Sequence, residues 1–449
     1  MFTDNLLNKM IVLLKKNIKN IKNIKNIKNI KNIKNIKNIK NIKNIKNIKN
    51  IKKRSLLQFF LYVEYIMSRV KRKYTRRRKK KAGACGTLLF YAPSMYITAV
   101  EVKNTINKSQ PNTIELGKIK TNSDIWEIDP EQKKIDDLAG VKGDVWPKFK
   151  DGWPNLFIKD HHKIMQKNVV FLASLDTPEA VFSQMAVMFA LPKYRAINYK
   201  VIIPWFPTGT MERITVPGEI ATANTLSRIL STIPMCSSGP SVIGLIDIHA
   251  LSEQFYFNDN VLVELKTAAG LLCKKIDVMQ TQPVIAFPDD GAHKRYKKIF
   301  ERYFKDKGKQ ANFVICGKER DGDSRKVVIK DGIEHIVKDC HVIIVDDLVQ
   351  SGGTLIKCAE AVQNVANCKI SAFATHGVFP KNSWEKFVNP EGNAATAITK
   401  FYITNSIPVS GRYNIQGGNV FEVLSIAPII EYFISETNCN NRYKKLYDS

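Results

Sequence analysis

The stretch His341-Val342-Ile343-Ile344-Val345-Asp346-Asp347-Leu348-Val349-Gln350-Ser351-Gly352-Gly353-Thr354 decides how the rest of the chain is read. Val342 to Val345 is an unbroken apolar, β-branched run. A short run without alternation reads as a strand buried on both faces, as in a parallel sheet. Asp346 and Asp347 close the strand, a glycine-containing turn follows, and a helical pattern runs from about Leu355 to Gln363. Strand, loop and helix in that order put the loop at the C-terminal edge of a parallel sheet, where open α/β folds bind ligands.

The chemistry of this loop suits a sugar phosphate. Ser351, Gly352, Gly353 and Thr354 fall at a helix N-terminus. Amides and hydroxyls there donate to a phosphate, and the helix dipole favours its negative charge. Glycines without Cβ atoms let the backbone approach the anion closely. Asp346 and Asp347 can accept hydrogen bonds from vicinal hydroxyls such as those of a ribose. Two adjacent carboxylates repel, so cations or hydroxyl donors should compensate them. An acidic turn capping a helix would explain a lone Gly-Gly-Thr, but not strand, acid pair, glycine turn and helix together.

A chain of 449 residues has room for two or three domains, and 44% hydrophobic content is ordinary for a globular protein. The net charge of +29 invites a nucleic-acid reading until it is located. Residues 1–82 hold 27 Lys and Arg against two acids, Asp4 and Glu64; the rest holds 43 basic and 39 acidic residues. The charge therefore belongs to an N-terminal extension, and no specific nucleic-acid partner is expected. Binding through that extension would be steeply salt-dependent and lost on truncation. The eight cysteines show neither CxxC pairs nor framework spacing, which points to free buried thiols in a reducing compartment.

Residues 17–52 are twelve copies of Asn-Ile-Lys. A period of three fits neither helix nor half-buried strand, and one Lys in three repels its neighbours, so disorder is expected. The apolar residues 55–67 are too few for a span, which needs about 20, so no transmembrane segment is expected. The basic run that includes Arg76-Arg77-Arg78-Lys79-Lys80-Lys81 reads as a solvated tail or a targeting signal. A cytoplasmic location is expected, with an organellar role for the extension the alternative.

From about Trp146 the pattern becomes regular. Strands are expected at 168–175, 200–206, 241–247, 283–287, 311–316, 342–345 and 369–375, and helices from Pro178 and at 218–230 and 293–304. Alternation of this kind predicts α/β architecture, with a mostly parallel sheet in each of two halves. The expected segments are 1–82 (low-complexity extension), 83–145 (partly ordered linker), 146–264 and 265–425 (two α/β domains) and 426–449 (tail). The apolar end, residues 420–434, is expected to pack back on the first half.

Four further clusters follow apolar strands. They are Ile202-Ile203-Pro204-Trp205-Phe206-Pro207-Thr208-Gly209-Thr210-Met211-Glu212-Arg213, Asp247-Ile248-His249-Ala250, Phe287-Pro288-Asp289-Asp290-Gly291-Ala292-His293-Lys294-Arg295 and Cys316-Gly317-Lys318-Glu319-Arg320-Asp321-Gly322-Asp323. Singly, each has a plain explanation: a core histidine, a solvated hairpin, a turn. There is no Walker A string and no Rossmann glycine fingerprint.

In order and together, from about residue 146 to 425, these runs resemble the ribose-phosphate diphosphokinases (PRPP synthetases), most closely their plant-type second class. The resemblance implies two similar phosphoribosyltransferase-type domains, the first on the ATP side and the second carrying the ribose 5-phosphate loop. It implies transfer of the diphosphoryl group of ATP to O1 of ribose 5-phosphate, giving PRPP and AMP. Asp346, Asp347, Ser351, Gly352, Gly353 and Thr354 match the ribose 5-phosphate loop. Lys318 and Arg320 match the family's mobile catalytic loop, and His249 and Asp289 its Mg²⁺-associated positions. Phe149, Asp151, Arg213 and His249 match ATP contacts, the first two reaching adenine across a subunit boundary, which implies a homo-oligomer. Thr210, Gln350 and Trp153 stand where the first class has an arginine and two acids. These second-class features imply weaker adenine selectivity and little dependence on phosphate activation or ADP inhibition.

Two alternatives compete. A phosphoribosyltransferase would share the central loop but would not explain Asp247-Ile248-His249 or the Lys318 and Arg320 segment. A non-catalytic PRPP-synthetase-associated subunit should lose Lys318, Arg320, His249 or Asp289, and all four are present.

Overall fold

The computed structural model describes residues 86–120, 146–321, 324–388, 397–408, 420–434 and 447–448, with the backbone alone at Lys318, Arg320, Asp321 and 324–326. The extension expected over residues 1–82 lies outside the described residues.

Six strands make the first sheet: β1 (Thr87–Tyr91), β2 (Ile114–Leu116), β3 (Asn168–Leu172), β4 (Asn198–Ile203), β5 (Ser241–Ile246) and β6 (Val261–Lys266). Their order is β2-β1-β3-β4-β5-β6, and every pairing is parallel. Helices α1 (Tyr96–Ser109), α2 (His161–Ile164), α3 (Pro178–Ala190) and α4 (Thr222–Leu230) accompany it. At the start of α3, the Thr177 hydroxyl oxygen accepts from the Ala180 amide at 3.1 Å, and Pro178 fills a first-turn position whose missing N–H costs nothing.

Of the segment 83–145, expected as a partly ordered linker, residues 86–120 belong to the first sheet, and the rest lies outside the described residues. Here β1, α1 and β2 build one edge of the first sheet, with Leu88, Leu89 and Phe90 almost fully buried. A five-residue strand followed by a polar helix carries too little periodicity to announce itself.

The second sheet contains β7 (Val284–Phe287), β8 (Phe313–Asp321), β9 (Ser324–Asp331), β10 (His341–Val349), β11 (Lys369–Gly377), β12 (Ile398–Thr404) and β13 (Phe421–Leu424). Its order is β13-β12-β11-β10-β7-β8-β9. All pairings are parallel except β8 with β9. The associated helices are α5 (Ala269–Ile276), α6 (Asp290–Lys305), α7 (Gly353–Gln363) and α8 (Ala427–Ile434). Strand β8 runs past the expected end at Cys316, because residues beyond it pair antiparallel with β9: Lys318 with Val327, Arg320 with Arg325. The segment expected as a catalytic loop is thus an arm of a β-hairpin.

The two sheets share a core. Leu89, Leu172 and Ile246 of the first sheet and Phe287, Val345 and Phe373 of the second belong to one buried cluster with α5, α6, α8 and Tyr447. Residues 426–449 therefore include core: the Lys200 ammonium donates to the Phe433 carbonyl at 2.7 Å, and the Thr267 amide donates to the Tyr447 carbonyl at 2.8 Å. Each fully buried Phe or Leu contributes about 1.5–3 kcal/mol, so separating the halves would forfeit many such terms. No helix among the described residues is long and apolar enough to cross a membrane.

Candidate active site

The C-terminal ends of β5, β7 and β10 converge on a cleft of about 690 Å³. Strand β10 ends at Val349, and α7 starts at Gly353 rather than at Leu355 as the sequence suggested. The turn between them depends on Gly352, which adopts φ +78°. A Cβ there would lie 2.5 Å from Cζ of Phe387. Phe387 is fixed in an aromatic cluster with Phe379, Phe401 and Phe421. From behind, the Ser383 hydroxyl donates to the Gln350 carbonyl at 2.7 Å and the Lys386 ammonium to the Ser351 carbonyl at 3.3 Å. The carbonyls are held outward, which leaves the helix N-terminus as the anion-favouring end of the loop.

Asp347 is buried, and its Oδ2 lies 2.8 Å from His249 Nδ1. The hydrogen bond to Asp347 raises the imidazole above its ordinary pKa. Burial by itself would push Asp347 up, but the bond from His249 and the charge of Arg295 bring it below the usual carboxylate range. Asp346 goes the other way: burial, then the charges of Asp347 and Asp289, push it well up. The pair is thus split, one acid held below and the other above the ordinary range, as expected for adjacent carboxylates that repel.

Two groups position this pair. The Arg295 guanidinium donates to the carbonyls of both Ile248 and His249. Deeper in, Asp247 Oδ2 accepts from the Thr375 hydroxyl at 2.6 Å and the Ala268 amide at 2.8 Å. His376 Nε2 lies 3.1 Å from the Ile246 carbonyl. The end of β5 in the first sheet is thereby fastened to β11 in the second.

Asp289 caps α6, its Oδ1 accepting from the amides of Gly291 and Ala292 at 3.0 Å each. Asp289, Asp290, Asp346 and Asp347 all line the cleft. Among the described residues no cluster of three or more His, Cys, Asp and Glu is gathered as a metal-ligand set. The donor chemistry nevertheless suits a hard cation: four carboxyl groups line one cleft, and oxygen donors are what such a cation takes.

Of the residues singled out from sequence, His249, Asp289, Asp346, Asp347, Ser351, Gly352, Gly353 and Thr354 meet in this cleft. Others do not. Phe149 and Asp151 sit on an exposed turn, closed by the Phe149 amide donating to the Trp153 carbonyl at 2.7 Å. Arg213 points largely into solvent, 3.4 Å from Glu212, and Thr210 of that segment lines the cleft instead. The backbone of Lys318 and Arg320 lies on β8, whose Gly317 reaches the cleft; their side chains lie outside the described ones. Arg295 and Lys330 also line the cleft and were given no role from sequence. Arg295 lay within a quoted cluster, and its i+6 spacing from Asp289 was the available signal.

The family model of the phosphoribosyl transferase domain matches residues 264–388. Ribose-phosphate pyrophosphokinase 4 of Arabidopsis thaliana is 44% identical over 284 residues, covering 63% of this chain and 81% of the relative. The mitochondrial ribose-phosphate pyrophosphokinase 3 of Spinacia oleracea is 41% identical, covering 66% and 73% respectively. The crystal structure of phosphoribosylpyrophosphate synthetase from Mycobacterium smegmatis superposes with a TM-score of 0.57, over 78% of this chain and 97% of that one. At 18% identity it attests the shared fold. Similarity of this depth, running through both sheets and over most of each relative's length, has one explanation: the chain belongs to the ribose-phosphate pyrophosphokinase family.

Proposed function

We propose that the cleft transfers the diphosphoryl group of ATP to O1 of ribose 5-phosphate, releasing AMP and PRPP. The observation that carries this is the union, in one cleft, of the Gly352-turned helix N-terminus with two strand-end carboxylates, one tied to His249. An anion cradle beside a hydroxyl acceptor is what a ribose phosphate requires.

Ser351, Gly352, Gly353 and Thr354 bind the 5-phosphate, and Asp346 and Asp347 accept from the ring hydroxyls, so that O1 faces the β-phosphorus. The O1 hydroxyl attacks there and gives up its proton, the bond from the β-phosphorus to the α-phosphate oxygen breaks, and AMP leaves. Lys318 and Arg320, carried on β8, neutralise charge building on the phosphoryl oxygens. Folding the hairpin over the substrates excludes water. His249 and Asp289 are the residues that would hold Mg²⁺, directly or through water, and the ion would supply positive charge to offset that of the phosphates. Arg213 serves the triphosphate. Phe149 and Asp151 serve the adenine of a neighbouring subunit's site, so the working enzyme is a homo-oligomer. Their exposure supports that assignment. The first sheet is the ATP side and the second the ribose 5-phosphate side. The compartment is the cytoplasm; an organellar destination is the alternative, as relatives include mitochondrial and chloroplastic forms.

The test is formation of AMP and PRPP from ribose 5-phosphate and ATP, with and without Mg²⁺, by the full chain and by Lys318→Ala. The variant should keep ribose 5-phosphate binding and lose turnover by orders of magnitude. A folded wild type that forms no AMP would overturn the assignment in favour of a non-catalytic subunit. Near-normal turnover by the variant would overturn the role of Lys318.

A further inference from the structure

The described cleft wall is short of available positive charge for substrates that carry several phosphate groups. Its described cationic side chains are His249, Arg295 and Lys330. His249 is tied to Asp347, and Arg295 is committed to two backbone carbonyls. Lys330 is different. Its ammonium lies 3.6 Å from Asp290 Oδ2, longer than the 2.7–2.9 Å of a charge-assisted bond, with both side chains about half exposed. A contact so loose and so wet holds little energy and yields readily to a better anion.

Two features of the backbone aim Lys330 at the cleft. The first is a β-bulge. Ile315 pairs with Asp331 and the next residue, Cys316, pairs with Ile329, so Lys330 is the extra residue on β9 with no opposite number on β8. A bulge of this kind re-aims the side chain it carries. The second is Gly317. A Cβ on Gly317 would lie 1.9 Å from Lys330 Cε and 2.5 Å from its Nζ. The missing side chain is the gap through which the lysine stem crosses β8, and Gly317 and Lys330 border the cleft together.

We propose that Lys330 is a further substrate-binding residue, which leaves Asp290 to bind the diphosphoryl group in transit from the nucleotide. This rests on the reaction proposed above and adds a residue to it. Asp290 is the first residue of α6, so the lysine works at the α6 end of the cleft, while the 5-phosphate belongs to the N-terminus of α7. The side chain is exposed and apart from the core, so its loss leaves folding intact.

The experiment is steady-state kinetics of the full-length Lys330→Met variant beside wild type and Lys330→Arg. A lost hydrogen bond to a charged group predicts a rise of about tenfold to a hundredfold in KM for ATP. KM for ribose 5-phosphate should stay within about twofold, and Lys330→Arg should recover part of the loss. Gly317→Ala, which blocks the crossing, should shift KM for ATP in the same direction. Unchanged kinetics in Lys330→Met, or an equal rise in both KM values, would overturn the proposal. If wild type forms no AMP, the functional assignment fails separately. Lys330 is then judged by binding of inorganic pyrophosphate, which Lys330→Met must weaken by at least about tenfold for the proposal to stand.

Discussion

Gly352 and Gly353 are neighbours in sequence, yet adding one methyl to each should have opposite consequences. Gly352 holds φ +78°, a conformation that costs an L-residue about 1–2 kcal/mol. Its new Cβ would also meet Phe387, 2.5 Å from Cζ and 2.8 Å from Cε2. Phe387 cannot retreat, because Phe401 lies 5.1 Å from it between ring centroids and Phe379 6.0 Å. Overpacking of this kind costs about 1–3 kcal/mol. Gly352→Ala should therefore lose about 2–5 kcal/mol, and with urea slopes of about 1–3 kcal/mol per molar its midpoint should fall by at least about 0.7 M. Gly353 is a regular helical residue whose added Cβ would find only Ser351 Oγ, at 3.7 Å. Alanine there should match or exceed wild-type stability, since Gly to Ala in a helix gains about 0.5–1 kcal/mol. Its methyl would, however, stand in the cleft, so KM for ribose 5-phosphate should rise. Urea unfolding followed by circular dichroism, with kinetics on the same preparations, separates the two effects. A Gly352→Ala midpoint equal to wild type, or a Gly353→Ala midpoint as low as that of Gly352→Ala, would refute the reasoning.

Two further outcomes are expected. Arg295→Met strips the fork from the carbonyls of Ile248 and His249 and removes the charge beside Asp347. Turnover should fall about a hundredfold or more, with little recovery in Arg295→Lys, which has no planar fork; kcat within a few-fold of wild type would refute this. Glu253 is fully buried and its carboxyl is pushed up to about 7 by burial, partly offset by the bond its Oε1 accepts from the Ala250 amide. The unfolded chain gives up this proton near its ordinary 4.5, so folding is favoured below that pH and loses up to about 3 kcal/mol as pH rises through 7. Glu253→Gln should therefore grow more stable than wild type between pH 5 and 8. Parallel urea curves for the two proteins across that range would contradict it.

The strand, turn and helix from β10 to α7 were legible because their signals are contiguous. A β-branched run, two acids, a glycine turn and a helical pattern all fall within Val342–Gln363, and local chemistry alone links them. The helix at Pro178 announced itself by its Thr-Pro start. What escaped was set by distance or by direction. The strand at β1 is only five residues long, and its sheet partners lie at Ile114 and Asn168. Nothing local in Cys316-Gly317-Lys318 says that β9 will fold back on it with a bulge at Lys330. Arg295 reads as one more cation on a basic helix, and its turn inward to the carbonyls of Ile248 and His249 depends on how α6 seats against β5. A shared core between the sheets cannot be read from either half.

That core has a consequence for synthesis. Tyr447 is fully buried in it, and the Thr267 amide, at the end of the first sheet, is satisfied by the Tyr447 carbonyl. The ammonium of Lys266 on β6 is met by Asp448 at 2.8 Å, and Gly244 on β5 abuts the ring of Phe433. The first six strands emerge from the ribosome long before these partners do. Until residue 447 is out, an apolar face of the first sheet and one edge of its backbone stay uncovered. The nascent chain must therefore keep a half-finished layer soluble while the second sheet is made, which marks the interval between β6 and Tyr447 as the one in which aggregation or chaperone capture competes with folding.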